Sequence, residues 1–411
     1  MLYYELKKIF SRTSSKLLLV LLGFILLFSL FYNIQSTQYV KADGTSISGF
    51  SAIRELKESK SKWNGLLTEE QIKKVLQTNQ DILEEFPGYY PGTTDVVISN
   101  QVYSLKQGYE DIRDIINSSY CLFGPLDYYL IDSLSPAQSS SFYKNRKEGL
   151  ESYLSSNQEL TKNQKEFYRK QYEENQIPWN YTYQDGWERI VQSLPMLQIF
   201  SVIIISLLLA SIFSYEDKTK AKLILLSSYK GKTRGALSKI CLGLVLTIGI
   251  YTIVMSFYIL MILGIFGFDG ASNPVQTNFF IGWDSPWNIT NLQAVGIMLM
   301  SGLMGALIFS SITMFISYKT RSTVIASTVA FLLILIPDWL TNYISSSNLI
   351  TFVKLFPDQL LNSMAQLSGF TFLDIQGIVI SPLAIMMVVY FILACIFLIS
   401  IYLMSRKEYL Q

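Results

Sequence analysis

Apolar residues gather in long unbroken runs and lack the alternating spacing of half-buried strands. Six runs are long enough to cross a bilayer: 17–34, 196–213, 240–267, 292–316, 323–343 and 379–403. None holds Lys, Arg or Glu, and their only acid is Asp338, near the end of the fifth. The pattern predicts an all-α polytopic membrane protein with six transmembrane helices. Between the first two runs, residues 35–193 turn polar and predict a large, mostly helical domain. There Thr68-Glu69-Glu70-Gln71 has the form of a capping box ahead of Ile72, Val75, Leu76 and Ile82. Residues 98–118 and 161–175 read as further helices.

Shorter stretches carry helical spacing without spanning length. Leu2, Leu6, Ile9 and Phe10 share one face, with Lys7, Lys8 and Arg12 around the other, so 1–16 predicts an amphipathic helix at a membrane interface. In 214–239, Ala221, Ile224, Leu225 and Tyr229 form an apolar face that no membrane needs, which predicts a docking surface for a partner protein. In the loop 344–378, residues 358–372 are apolar but too short to cross, and predict a re-entrant helix covered by protein. In the fourth run, Ser301/Gly305 and Gly302/Ala306 are small-xxx-small pairs that let a neighbouring helix approach closely.

Charge orients these elements. Residues 214–239 hold seven bases (Lys218, Lys220, Lys222, Lys230, Lys232, Arg234, Lys239) against Glu216 and Asp217. With both termini on that side, its segments total 15 Lys/Arg and four acids, whereas 35–193 holds 17 Lys/Arg and 22 Asp/Glu. Positive-inside bias therefore predicts cytoplasmic termini and an extracellular 35–193 in a multi-pass protein of the plasma membrane. All six Trp fall on the outer side, several where an interfacial belt is expected. The basic start followed by an apolar run mimics a secretory signal ending at Val40-Lys41-Ala42, but 17–32 exceeds the usual apolar length, so a retained span is expected.

Composition narrows the chemistry. The chain has no His, which removes catalytic triads, His-ligated zinc and imidazole relays. Cys121, Cys241 and Cys395 are too scattered for a disulfide framework. Gly231-Lys232-Thr233 resembles the tail of a phosphate-binding loop, but Leu226 stands where that loop needs Gly, and no strand precedes it. No nucleotide site, metal or nucleic-acid partner is expected in this chain. The spans offer only hydroxyls and amides, with Asn33, Gln198, Ser201, Thr252, Ser256 and Thr313 as candidate pathway or packing positions, a wall suited to an amphipathic or lipidic passenger.

The order of these parts resembles the permease subunit of type-2 ATP-binding-cassette (ABC-2) exporters. A basic amphipathic helix with Glu5, Lys7 and Lys8 precedes span one, and Glu216-Asp217 after span two leads into Leu225-Leu226-Ser227-Ser228. Arg234 and Lys239 then stand at the mouth of span three, and Leu355-Phe356-Pro357 opens the segment before span six. The chain departs from the family pattern in lacking a Pro after Leu-Leu-Ser and in inserting Lys230-Gly231-Lys232-Thr233 before Arg234. The resemblance implies that 214–239 carries a coupling helix docked on a separately encoded ATPase, present in two copies and binding ATP and Mg. It further implies a second permease as homodimer or heterodimer partner. Glu216, Asp217, Ala221, Ile224, Leu225, Leu226, Ser227, Arg234 and Lys239 are then the coupling positions, and Glu5, Lys7 and Lys8 those of the interface helix. The large insert resembles the sodium-extrusion and antimicrobial-peptide-resistance branches. The competing expectation is a membrane sensor or scaffold, with a ligand-binding outer domain and an inner loop that recruits a partner.

Overall fold

A chain in lipid has to satisfy its backbone hydrogen bonds internally, so its long apolar runs fold as helices. The computed structural model describes residues 2–90, 95–121, 123–218, 229–340, 343, 349 and 352–408. It is mostly helical (73%). Among the described residues five helices are long and apolar enough to cross a membrane: Thr13–Ser36, Asp185–Glu216, Arg234–Phe266, Asn291–Thr320 and Pro382–Arg406. They mark the protein as membrane-embedded and multi-pass. Of the run expected as a sixth span over 323–343, the described part holds the helix Thr323–Leu340, apolar over Thr323–Pro337, and residues 341 and 342 lie outside the described residues.

In chain order the helices are α1 (Leu2–Phe10), α2 (Thr13–Ser36), α3 (Phe50–Ser61), α4 (Glu69–Glu85), α5 (Val96–Lys106), α6 (Glu110–Tyr120), α7 (Phe142–Ser156), α8 (Lys162–Glu174) and α9 (Asp185–Leu209), followed by α10 (Ser214–Lys218), α11 (Tyr229–Phe266), α12 (Asn291–Thr320), α13 (Thr323–Leu340), α14 (Met364–Leu367) and α15 (Pro382–Glu408). Three short antiparallel hairpins accompany them: β1 (Gln38–Val40) with β2 (Ser46–Ser48), β3 (Gly65–Leu66) with β4 (Asn180–Tyr181), and β5 (Leu373–Ile375) with β6 (Ile378–Ile380). Two helices outrun their apolar runs. α9 starts at Asp185 and continues through Pro195, and α11 starts at Tyr229, so the end of the 214–239 stretch extends the next span's helix.

The insert between α2 and α9 is helical, as its punctuation predicts, with two adjustments. The expected helix over 98–118 is two helices joined by a 3-10 turn at Gln107–Tyr109. Gly108 lies so close to α3 that a Cβ there would stand 3.3 Å from the Ser59 carbonyl oxygen, and the chain bends at that approach. At α4, Thr68 Oγ1 accepts from Gln71 N at 3.3 Å, but the Gln71 side chain turns to the Trp63 carbonyl, leaving half a capping box.

The insert does not build its cores alone. Leu67, Ile72, Leu76, Ile112 and Trp179 are buried together with Trp283 from the α11–α12 loop. Leu150, Leu154 and Tyr168 are buried with Phe372 from the segment before β5. Trp179 and Trp283 are thus core residues, 1% and 5% exposed, where a sequence reading places an interfacial belt. Arg146 packs among these aromatics, with its guanidinium 3.9 Å from the Tyr172 ring centre and 5.0 Å from that of Trp179.

The segment before β5, expected as a re-entrant helix, packs against the bundle through a 3-10 turn at Pro357–Leu360 and the short α14. Leu360, Leu361 and Leu367 are fully buried, and Ser301 Oγ donates to the Leu360 carbonyl at 2.7 Å. Ser301 stands about 15 Å along α12 from Asn291, so the segment reaches well into the bundle. Tyr390 Oη of α15 donates to the Leu355 carbonyl at 2.7 Å. Two carbonyls of this non-helical backbone thus find side-chain partners on α12 and α15. The small residues of α12 make the approach possible: Gly305 faces Leu360 and Leu361, and Gly302 faces Tyr251 and Gln198. A Cβ on Gly302 overlaps Tyr251 Oη and the Gln198 amide. Gly302→Val is therefore expected to destabilise the protein by about 1–3 kcal/mol, seen as a lower melting temperature in detergent, whereas Gly296→Ala, with open space around it, leaves the melt unchanged.

Candidate functional site: charged clusters at the two ends of α9

One end of the bundle collects the basic residues. α1, the C-terminal end of α9 with α10, the start of α11 and the α12–α13 turn meet there, bringing together Lys8, Arg12, Lys239, Lys319 and Arg321. The centre of this junction is Glu216. Its Oε1 accepts from Lys8 Nζ at 2.8 Å and its Oε2 accepts from Lys239 Nζ, so one carboxylate ties α1 to α11. Lys8 also reaches Glu5 at 3.4 Å. The Glu216 and Lys239 side chains are only 7% and 5% exposed. Arg12 donates to Ser211 Oγ and stacks 3.8 Å from the Tyr215 ring centre, while Lys239 faces the Phe213 ring at 5.3 Å. Hydroxyls complete the seam: Ser317 Oγ donates to the Ala210 carbonyl at 2.7 Å, and Ser214 and Thr323 share a 2.7 Å hydrogen bond.

Of the expected coupling set the structure thus joins Glu5, Lys8, Glu216 and Lys239. Lys7 and Arg234 point to solvent. Asp217 is in α10, with its side chain outside the described residues, and Ala221, Ile224, Leu225, Leu226 and Ser227 lie outside them altogether. Of the polar positions in the spans, Asn33 is buried and donates to the Ser29 carbonyl at 2.9 Å and to Tyr258 Oη at 3.2 Å. Ser201 and Thr313 bond their own helices' carbonyls, each at 2.7 Å. Gln198 donates to the Met298 carbonyl at 3.0 Å. Thr252 and Ser256 face outward.

At the other end of α9 lies a cluster that no linear motif announces. Lys60 of α3 is buried, with its ammonium 2.7 Å from Asp111 of α6 and 2.8 Å from Asp185 at the start of α9. Tyr181 Oη donates to Asp111 at 2.7 Å. Burial works against the Lys60 ammonium, but Asp111 and Asp185 outweigh it and hold its pKa well above the usual lysine value. Asp111, Asp185 and Glu188 have carboxylate oxygens within 4.8 Å of one another, a grouping that suits a metal ion, yet the Lys60 ammonium already occupies the cation position between two of them. Nearby, Arg113 pairs with Asp114 at 2.8 Å and with Glu110 at 3.3 Å. Burial pushes the Asp114 carboxyl up to about 6 against the pull of Arg113.

The mouth beside this cluster is fixed by amides. Gln184 is fully buried, and its Oε1 accepts from Asn273 at 2.8 Å, Asn291 at 3.0 Å and Thr277 at 3.1 Å. It thereby clamps the α11–α12 loop onto the start of α9. Sequence reading missed these residues because they come from four separated segments. The one legible hint was a pair of acids, Asp185 and Glu188, just ahead of an apolar run.

Comparison with known proteins finds no matching family model, no similar curated protein and no similar solved structure.

Because Glu216 balances two ammonium groups in a closed junction, Glu216→Gln strands Lys239 without a counter-ion and is expected to cost about 3–5 kcal/mol. A thermal melt measures this, and the reciprocal exchange Glu216→Lys with Lys239→Glu recovers part of the loss.

Proposed function

We propose that the chain is the membrane-spanning permease subunit of an ATP-driven ABC-2 exporter. The observation that carries this reading is the Glu216 junction. α1, the end of α9 with α10 and the start of α11 are tied together by one carboxylate, Glu216, in the stretch of sequence that also holds Ala221, Ile224 and Leu225. A force applied to that loop is delivered to two spans and an interface helix at once, as a lever between a motor and a gate requires. The concentration of Lys and Arg at this end supports placing it in the cytoplasm, with both termini inside and the insert outside. ATP and Mg then belong to a separately encoded ATPase in two copies, and a second permease, identical or related, completes the pathway. The passenger class in this reading is amphipathic or lipidic, such as a peptide, an antimicrobial or a drug, because the apolar runs carry hydroxyls and amides and no Lys, Arg or Glu.

A second reading is favoured by the charged cavity beside Lys60: a sensor whose outer domain binds a ligand and whose inner loop recruits a partner. The two separate on energy use. In the permease reading an ATPase copurifies with the chain, and Leu225→Arg lowers ATP-driven transport about tenfold or more while insertion and melting temperature hold, because an apolar docking contact becomes an unpaired buried charge worth more than about 1.4 kcal/mol. Full transport by Leu225→Arg, or a chain that acts without any nucleotide-consuming companion, contradicts it.

A further inference from the structure

A cavity of about 560 Å³ opens where the insert meets the start of α9, walled by α6, the first turns of α9 and the α11–α12 loop. Six carboxylates line it (Glu110, Asp111, Asp114, Asp185, Glu188, Asp284) against three bases (Lys60, Arg113, Arg189). The internal ion pairs do not use up this excess. Lys60 is committed to Asp111 and Asp185, and Arg113 to Glu110 and Asp114. Among the described residues Glu188 and Asp284 have no ion-pair partner; Glu188 accepts only from the Gln184 amide at 3.0 Å and the Phe279 N–H at 3.3 Å. One part of the wall is apolar and aromatic, with Ile115, Phe123, Leu126, Phe279, Phe280 and Trp283. Two further wall residues carry buried polar atoms with no hydrogen-bond partner, Gln276 Oε1 and Trp283 Nε1, although these side chains are 1% and 5% exposed. Gln276 Oε1 is an acceptor that lacks a donor, so it favours an occupant that brings N–H groups.

We propose that this cavity binds organic cations that carry an amine or guanidine on an apolar body. The cationic group sits between Glu188 and Asp284, where Gln276 Oε1 accepts one of its protons. The apolar body lies against Phe279, Phe280 and Trp283, whose ring faces attract a cation as well as exclude water. A bare divalent ion is disfavoured, because its natural position is held by Lys60. The site is independent of the transport reading, since binding is measured without ATP or a partner.

The test uses the full chain in nanodiscs and the fluorescent amine dansylcadaverine, with its neutral N-acetyl derivative and the anionic dansylglycine as controls. Saturable binding of the amine is expected, with affinity at least about tenfold above either control. Glu188→Gln with Asp284→Asn is expected to remove that preference. Ser118→Trp, which fills the cavity from α6 without altering any charge, is expected to abolish binding while melting temperature holds. Equal binding of all three probes, or an amine affinity unchanged in both variants, overturns the proposal.

Discussion

The fold depends on buried ion pairs at both ends of one helix. Lys60 holds Asp185, and Lys8 with Lys239 holds Glu216. Between these two carboxylates the chain runs through α9, a turn at 210–213 and α10, and Asp185–Glu216 counts as a single span of 32 residues. At the helical rise this is about 48 Å, enough to cover a bilayer core of about 30 Å and both interfaces. Charges on such a span are tolerable only at its ends and only when paired. The two clusters therefore set the position of α9 along the membrane normal as well as its neighbours.

Buried ion pairs add little net stability over well-packed apolar groups, and their use lies in fixing which partner and which register is chosen. Here they choose between helices that lipid-facing apolar surface alone cannot tell apart. α2 and α15 show mostly outward-facing surface, with 28% and 17% of their spans buried, whereas the window in α9 is 67% buried. α9 and α12 are interior helices, 67% and 61% buried over their spans, and α9 packs on α2, α11, α12 and α13. A change at the cavity beside Glu188 and a change at the Glu216 junction thus act on the same rigid element.

Much of this was legible in the sequence, and the reason for each success or miss is physical. Five of the six expected spans were readable because membrane length and apolarity leave few alternatives, and α1 was readable as a helix from its period. Glu5, Lys8, Glu216 and Lys239 could be singled out as charges flanking apolar runs, but their meeting on one carboxylate is a tertiary fact. The Lys60 cluster and the Gln184 clamp were illegible because their members come from segments far apart in the chain, each unremarkable alone. That Trp179 and Trp283 fill the core of the insert was not legible, because a belt and a core share the same composition. The insert appeared self-contained because polarity marks where a chain leaves the membrane, not which later loops will finish its core.

The claim that α9 pins two clusters on opposite membrane faces is tested most directly by sidedness. In a background with Cys121, Cys241 and Cys395 replaced by Ser, single cysteines are placed at Lys7 on α1 and at Lys162 on α8, both solvent-exposed, and treated with a membrane-impermeant maleimide. The account predicts that position 162 is labelled in intact cells and position 7 only after permeabilisation. Labelling of both positions from the same side would contradict it.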